Sequence, residues 1–335
     1  MKLSRTQLLV SLAACAVLIA VAATPQLLAR PVGSALHSLA GADPAWLSVA
    51  GAAFFAAFAF TVAAWRTALA AAGGHISTQQ VAARIGIGSM VNSFAPAKLG
   101  DAVKVALCAR AIDGPGRLWT TGGVYAGLGA ARTLGLAVLV VAGSATGALP
   151  LWPVFALCGV VATVGVAAAG SRRIRRHERL RRLLDGFAAL ERSPKTAATV
   201  IGWTLAMVGA RLLATICIVE ALGLPHPLLA SLVIMPALDL ATVFPLTPGN
   251  IGIGSGAVAV ALASRGIGMT QALGVGFAIQ GVETLVSITV GGIGALTLAQ
   301  PGAALRRWSL RFALVLGTAV AAASIGGVMV AFDLF

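Results

Sequence analysis

Long apolar runs follow one another along most of this chain, and the charged residues collect in the short segments between them. A helix needs about 20 consecutive apolar residues to cross a bilayer. Seven runs meet that length, at 7–23, 46–71, 118–142, 152–170, 197–222, 269–298 and 310–332. The pattern therefore predicts an all-α polytopic membrane protein with about seven spanning helices.

Two further apolar runs, 81–110 and 228–264, are long enough to span but are interrupted near the middle. Proline removes a backbone donor and clashes with the preceding turn, while glycine permits a tight reversal. The interrupting residues are Pro96 and Gly100 in the first run and Pro245, Pro248, Gly249 and Gly252 in the second. Because the shorter halves reach only about the midplane, we predict two re-entrant hairpins instead of two spans.

The distribution of basic residues favours the same topology. If both broken runs are hairpins, 18 of the 24 Lys and Arg residues lie on the side of the N-terminus, and the opposite side receives only Arg30 and Arg265. Cytoplasmic loops of membrane proteins carry such an excess of basic residues. We therefore expect a multi-pass protein of the cell membrane with a cytoplasmic N-terminus.

The predicted elements repeat along a single membrane domain that covers residues 1–335. Residues 1–148 and 150–299 each contain two spans, a hairpin and a further span, in opposite orientations, and 300–335 adds one helix. Inverted repeats with broken helices that meet near the midplane are typical of alternating-access transporters.

Composition excludes several classes of function. With 59% hydrophobic and 10% charged residues, no segment is left for a separate soluble domain. The net charge of +14 is explained by membrane topology, so no nucleic-acid partner is expected. The four Cys and four His residues are scattered, which predicts no metal and no cofactor. No nucleophile, acid and base occur together, so we predict that the protein is not an enzyme.

Three charges directly follow the first break. Lys98, Asp101 and Lys104 are spaced three residues apart and would share one face of a half-helix. Charges at membrane depth are costly and face protein or a wet cavity. The trio is either a self-neutralising structural group or a net-positive site for an anionic group, helped by the free donors of a helix N-terminus. Asn92 either satisfies open backbone groups at the hairpin tip or binds a ligand.

Further substrate-binding candidates lie in later segments: Arg132, Asp239, Asn250 and Glu283, with Arg211, Glu220 and Gln280 as additional polar residues. Arg132 and Glu283 occupy corresponding places in the two repeats. They form either a structural ion pair or a gate that lines the cavity.

Two motifs resemble one family. NSFAPAKLGDAVK at 92–104 and PLTPGNIGIGS at 245–255 are similar to the signatures of the lysylphosphatidylglycerol synthase transmembrane family, which includes the flippase domain of multiple peptide resistance factor. The chain departs from the second signature at Asn250, usually glycine, and at Ser255, usually glutamate. The resemblance does not carry over the synthase activity, which needs a separate soluble domain.

The resemblance and the inverted repeat together imply a membrane transporter that flips a phospholipid or lipid-linked substrate by alternating access. Membrane lipids would then be its partners. Two alternatives stay open: a secondary transporter of a small anionic solute, and a non-catalytic scaffold for a lipid-modifying or glycosyltransferase enzyme.

Overall fold

The computed structural model describes residues 41–95, 98–114, 116–150, 154, 155, 159, 193–242 and 252–298. Within these residues the chain forms eight α-helices and one short 3₁₀ turn, Ala109–Ala111. The helices are α1 (Pro44–Ala71), α2 (Thr78–Phe94), α3 (Leu99–Cys108), α4 (Arg117–Ala145), α5 (Pro194–Ala221), α6 (Pro227–Ala241), α7 (Ile253–Ala263) and α8 (Met269–Leu298).

Four of the helices, α1, α4, α5 and α8, are long and apolar enough to cross a membrane. Their bounds lie within a few residues of the predicted spans. Local capping explains where two of them begin: the side chains of Asp43 and Ser193 accept from the first-turn N–H groups of α1 and α5, and a proline follows each cap. The spans predicted at 7–23 and 310–332, and nearly all of 152–170, lie outside the described residues.

The first broken run forms two helices that pack against each other. α2 ends at Phe94, and Lys98 precedes α3 in the left-handed conformation with φ of 54°. Gly100 was predicted as part of the break, but it lies inside the first turn of α3. A Cβ atom at Gly100 would overlap the carbonyl oxygen of Gly88 on α2. Gly100 is therefore required by close helix packing and not by the turn.

The second broken run also forms two helices in contact, α6 and α7. Gly252 directly precedes α7, and its φ of 90° is a backbone conformation that favours glycine. Gly252 therefore lies at the break, as predicted. Of the other predicted breaking residues, Pro96, Pro245, Pro248 and Gly249 lie outside the described part of the chain.

The helices follow one another twice in the same order of length. α1 to α4 contain 28, 17, 10 and 29 residues, and α5 to α8 contain 28, 15, 11 and 30. The equivalent helices α1 and α5 run antiparallel, since the backbone N–H of Asp43, before α1, donates to the carbonyl of Ala221 at the end of α5 over 2.9 Å. The first helices of the two series thus run in opposite directions.

Two hydrophobic clusters occupy opposite ends of α1 and α5. Cluster A includes Val62, Trp65, Val81, Ile85, Cys108, Ile112, Val124 and Val200. Cluster B includes Ala50, Phe54, Ala214, Ile218, Ile234, Leu262 and Val275. The start of α2 and the end of α3 both belong to cluster A, whereas the start of α6 and the end of α7 belong to cluster B. Each broken segment therefore returns to the end of the molecule from which it starts.

Candidate functional site

Two adjoining cavities open between clusters A and B, beside the middle parts of α1, α4, α5 and α8. Their volumes are about 270 and 280 Å³, and eight residues line both. The shared residues are Ser89, Asp101, Lys104, Tyr125, Arg132, Arg211, Glu283 and Ser287. Because charged side chains at the middle of apolar helices face protein or a wet cavity, this is the place where a polar ligand can lie within the helix bundle.

The two cavities differ in their remaining walls. The first, here called the apolar lobe, is completed mainly by α1 and its neighbours, with Phe54, Phe58, Trp65, Leu128, Met207 and Val286. The second, the polar lobe, is completed by Asn92, Ser93, Lys98, Thr242, Gln280 and Thr284. The two lobes therefore share one group of charged residues, and beyond that group the wall is mostly apolar in the first lobe and mostly polar in the second.

Asp101 ties three helices together at the boundary between the lobes. Its Oδ1 accepts from Lys104 Nζ at 3.0 Å and from Asn92 Nδ2 at 2.9 Å. Its Oδ2 accepts from the Tyr125 hydroxyl at 2.8 Å. The ring of Tyr125 lies in turn beside Trp65 of α1, with ring centroids 6.1 Å apart. The carboxylate is thus compensated by one cation and two neutral donors on α2, α3 and α4.

Lys98 differs from the other two charges of the predicted trio. It precedes the helix and is exposed, and its side chain lines the polar lobe. Asp101 pairs with Lys104, whereas Lys98 makes no ion pair with any described residue. Asp101 and Lys104 therefore share one face of α3 as predicted, whereas Lys98 lies before the helix and lines the same polar lobe from there.

A second set of charged side chains forms a series of ion pairs that links α4, α6, α5 and α8. Arg132 donates to Oδ1 of Asp239, which also accepts from Arg211 Nη1 at 3.4 Å. Arg211 Nη2 lies 3.9 Å from Glu283 Oε1. The side chains of Arg211 and Asp239 are 12% and 11% exposed, whereas Arg132 and Glu283 at the two ends of the series are 43% and 47% exposed. The buried pair of Arg211 and Asp239 is therefore structural, whereas Arg132 and Glu283 are accessible.

Arg132 and Glu283 do not form the ion pair that was one of the two interpretations of these residues, but both of them line both lobes. Arg132 pairs with Asp239 instead, and the nearest described cation to Glu283 is Arg211. Among the residues that line the lobes, four are cationic and two are acidic. Asp239, which does not line either lobe but pairs with Arg132 and Arg211, offsets one more cation and leaves one excess positive charge.

The second broken segment contributes less to these walls than the first. None of the α7 residues lines either lobe. Ser255 on α7 is fully buried and donates to Gln280 Oε1 at 3.4 Å. A Cβ atom at Gly276 would lie 2.6 Å from the Cα of Ser255, so α7 and α8 approach closely here. The charges contributed by broken helices come from α6 and from the first segment.

The structure brings most of the predicted site residues together. Six of the eight line the lobes, namely Asn92, Lys98, Asp101, Lys104, Arg132 and Glu283. Asp239 does not line them but accepts a hydrogen bond from Arg132. Asn250 lies outside the described residues. Of the additional polar candidates, Arg211 and Gln280 line the polar lobe, and Glu220 is exposed at the end of α5.

Tyr125 was not predicted as a site residue. It stands seven residues before Arg132 on α4, a spacing that places both on one face of a helix. This spacing could have identified Tyr125 from the sequence as a neighbour of Arg132 in the site.

Within the described residues, no three His, Cys, Asp or Glu side chains are grouped so that they could hold a metal ion. The cysteines described, Cys108 and Cys217, are buried and not disulfide-bonded.

Comparison with protein families supports the resemblance of the two motifs. A family model described as "Lysylphosphatidylglycerol synthase TM region" matches residues 7–291. No curated protein and no solved structure matches the chain significantly.

Proposed function

We propose that this chain, which belongs to the lysylphosphatidylglycerol synthase transmembrane-region family, is a transporter that moves a phospholipid or lipid-linked substrate between membrane leaflets. One observation supports the proposal: between the middle parts of four long apolar helices, a group of charged residues lies next to a mostly apolar cavity wall. A lipid has the same two-part character, with a polar headgroup joined to hydrocarbon.

We interpret the two broken segments as re-entrant hairpins and the two helix series as halves of an inverted repeat. The supporting facts are that each segment returns to its starting end and that α1 and α5 run antiparallel. In such folds, one repeat rocks against the other around a fixed midplane site, which gives alternating access. The position of the lobes beside the middle parts of α1, α4, α5 and α8 supports this interpretation.

The orientation in the membrane follows from basic residues outside the lobes. Among the described residues, Arg66, Arg110, Arg117 and Lys195 lie at the end of the molecule near cluster A, and Arg265 lies at the other end. The end near cluster A would therefore face the cytoplasm.

We propose transport and not synthesis because the charged side chains at the cavities form ion pairs with one another. Paired cations and carboxylates suit the binding of a charged headgroup, whereas a nucleophile with its base is the arrangement that group transfer needs. We therefore propose that the protein itself is not an enzyme.

A second candidate function is secondary transport of a small anionic solute. The excess positive charge and the 280 Å³ polar lobe favour it, since a small anion needs no apolar lobe. The two candidate functions can be distinguished in the same vesicles, because one predicts movement of a lipid and the other predicts uptake of a small anion.

The test is reconstitution of the full chain into vesicles that carry a fluorescent phospholipid, with a quencher that reaches only the outer leaflet. We expect leaflet exchange faster than in protein-free vesicles. Arg132→Gln should slow it, whereas Arg66→Gln, a matched change at an exposed position of α1, should not. Uptake of a labelled anion without lipid exchange would establish the second candidate. If neither lipid nor solute moves, both candidates fail and a scaffold function remains.

A further inference from the structure

We infer that the headgroup held in the polar lobe carries charges of both signs, as a phosphodiester with a single primary amine does. This inference rests on the proposed lipid transport and adds the class of substrate. It follows from which charged groups of the lobe are accessible and which are already compensated by protein.

Two accessible cations can meet the phosphodiester. Lys98 is exposed to the polar lobe and has no ion-pair partner among the described residues. One guanidinium nitrogen of Arg132 donates a hydrogen bond to Asp239, but the Arg132 side chain is 43% exposed. A guanidinium has five N–H donors, so Arg132 retains donors for a phosphate oxygen.

One accessible carboxylate can meet the amine. The side chain of Glu283 is 47% exposed, and its ion pair with Arg211 is long, at 3.9 Å. Gln280, Thr284 and Ser287 line the polar lobe from the same face of α8, at spacings of one and two helical turns. Their oxygens add acceptors beside the Glu283 carboxylate, and together they form a wall that suits an ammonium group.

The other carboxylate of the lobe, Asp101, and Asp239 behind Arg132 do not serve a second amine. Asp101 accepts from three side chains and is 19% exposed, and Asp239 is held by two arginines and is 11% exposed. On α7, the residue that contacts Gln280 is the neutral Ser255. A headgroup with two amines would therefore leave one of them without a carboxylate.

A purely anionic headgroup also fits less well than a zwitterionic one. It would offset the excess positive charge of the lobes at Lys98 and Arg132, but it has no cation to offer the exposed Glu283 carboxylate. Like charges that face each other in a partly desolvated site are unfavourable, and this is how a charged wall discriminates between ligands.

The experiment compares lipids that differ only in the amine. Vesicles containing the full chain receive phosphatidylethanolamine or its N-acetylated form, each with the same fluorescent acyl chain, and leaflet exchange is measured by outer-leaflet quenching. We expect wild-type protein to move phosphatidylethanolamine about tenfold faster than the acetylated lipid, and faster than lysylphosphatidylglycerol. Glu283→Gln should reduce the first ratio to within about twofold. Glu220→Gln, which removes an exposed carboxylate at the end of α5, should leave the ratio unchanged.

The inference is overturned if wild-type protein moves both lipids at the same rate, if it prefers lysylphosphatidylglycerol, or if Glu283→Gln slows both lipids equally. Thermal unfolding in detergent shows whether the Glu283→Gln variant folds. If it does not fold, the ratio of the two exchange rates in wild-type protein tests the inference by itself. If no lipid moves faster than in protein-free vesicles, the proposed function fails, and that result differs from exchange without selection for the amine.

Discussion

The hydroxyl of Tyr125 on α4 donates a 2.8 Å hydrogen bond to Oδ2 of Asp101 on α3. This bond joins a half-helix of the first broken segment to a long helix. Tyr125→Phe removes it and keeps the ring that packs beside Trp65. We expect a loss of about 1 kcal/mol in stability, because side-chain hydrogen bonds between membrane helices contribute in that range.

Thermal unfolding in detergent measures this loss, with a thiol-reactive dye that reports exposure of the buried Cys108 and Cys217. Thr133→Val is the control, since Thr133 is exposed and bonds only to the carbonyl of Gly129 in its own helix. An unchanged unfolding temperature for Tyr125→Phe would mean that this bond does not hold α3 against α4.

Replacing Asp101 by asparagine keeps the shape of the side chain but leaves Lys104 uncompensated at depth. A charge at the centre of a membrane helix costs about 3 kcal/mol on insertion scales, which permits insertion. We expect the variant to insert and to lose lipid transport, and Lys104→Gln to impair transport as well. Lys195→Gln, at an exposed position, should have little effect.

Membrane yield, thermal unfolding and leaflet exchange are to be measured on the same preparations. Normal transport by Asp101→Asn would exclude the proposed site. Loss of folding would instead favour the interpretation of Asp101 and Lys104 as a structural, self-neutralising pair.

Asp239→Asn removes the shared carboxylate of Arg132 and Arg211. Because the Arg211 side chain is only 12% exposed, we expect a loss of about 3 kcal/mol, as is typical when one partner of a buried ion pair is deleted. Glu283→Gln should cost less than about 1 kcal/mol, since its ion pair is long and half-exposed.

The same thermal unfolding assay ranks these variants. Adding Arg211→Met to Asp239→Asn should recover part of the loss, because it removes the uncompensated buried charge. A double variant less stable than Asp239→Asn alone would contradict this account.

Gly100→Ala tests the packing of the first broken segment. The added Cβ would overlap the backbone oxygen of Gly88, and overpacking of this kind costs about 1–3 kcal/mol. Gly122→Ala on α4 is the matched control, because its Cβ would meet nothing within 4 Å. We expect a lower unfolding temperature for Gly100→Ala only. Equal unfolding temperatures for the two variants would show that α2 and α3 separate without cost.

The inverted repeat predicts the sidedness of four exposed positions. In a background without the native cysteines, Ser77→Cys and Asp113→Cys flank the first broken segment, while His226→Cys and Arg265→Cys flank the second. Each pair should react with a membrane-impermeant thiol reagent from one side only, the first pair from the cytoplasm and the second from outside. Labelling of Ser77→Cys and Asp113→Cys from different sides would show that the first segment spans the membrane.

Much of the local structure could be predicted because its causes are local. Runs of apolar residues determine where long helices form, and α8 begins and ends where the run 269–298 does. Proline and glycine interrupt helices by their own backbone chemistry, so the break after Phe94 was visible. The family was also recognisable, and its match over residues 7–291 confirms that prediction.

The residue pattern alone predicts an all-helical membrane protein of this family and shows which charges stand within its apolar segments. The partners of these charges are visible only in the folded chain. Arg132 bonds to Asp239, 107 residues away, and Gly100 is needed for its contact with Gly88. Such pairings depend on which faces of distant helices pack together, and that choice depends on the shape and burial of all neighbouring side chains at once, which no local pattern of residues contains.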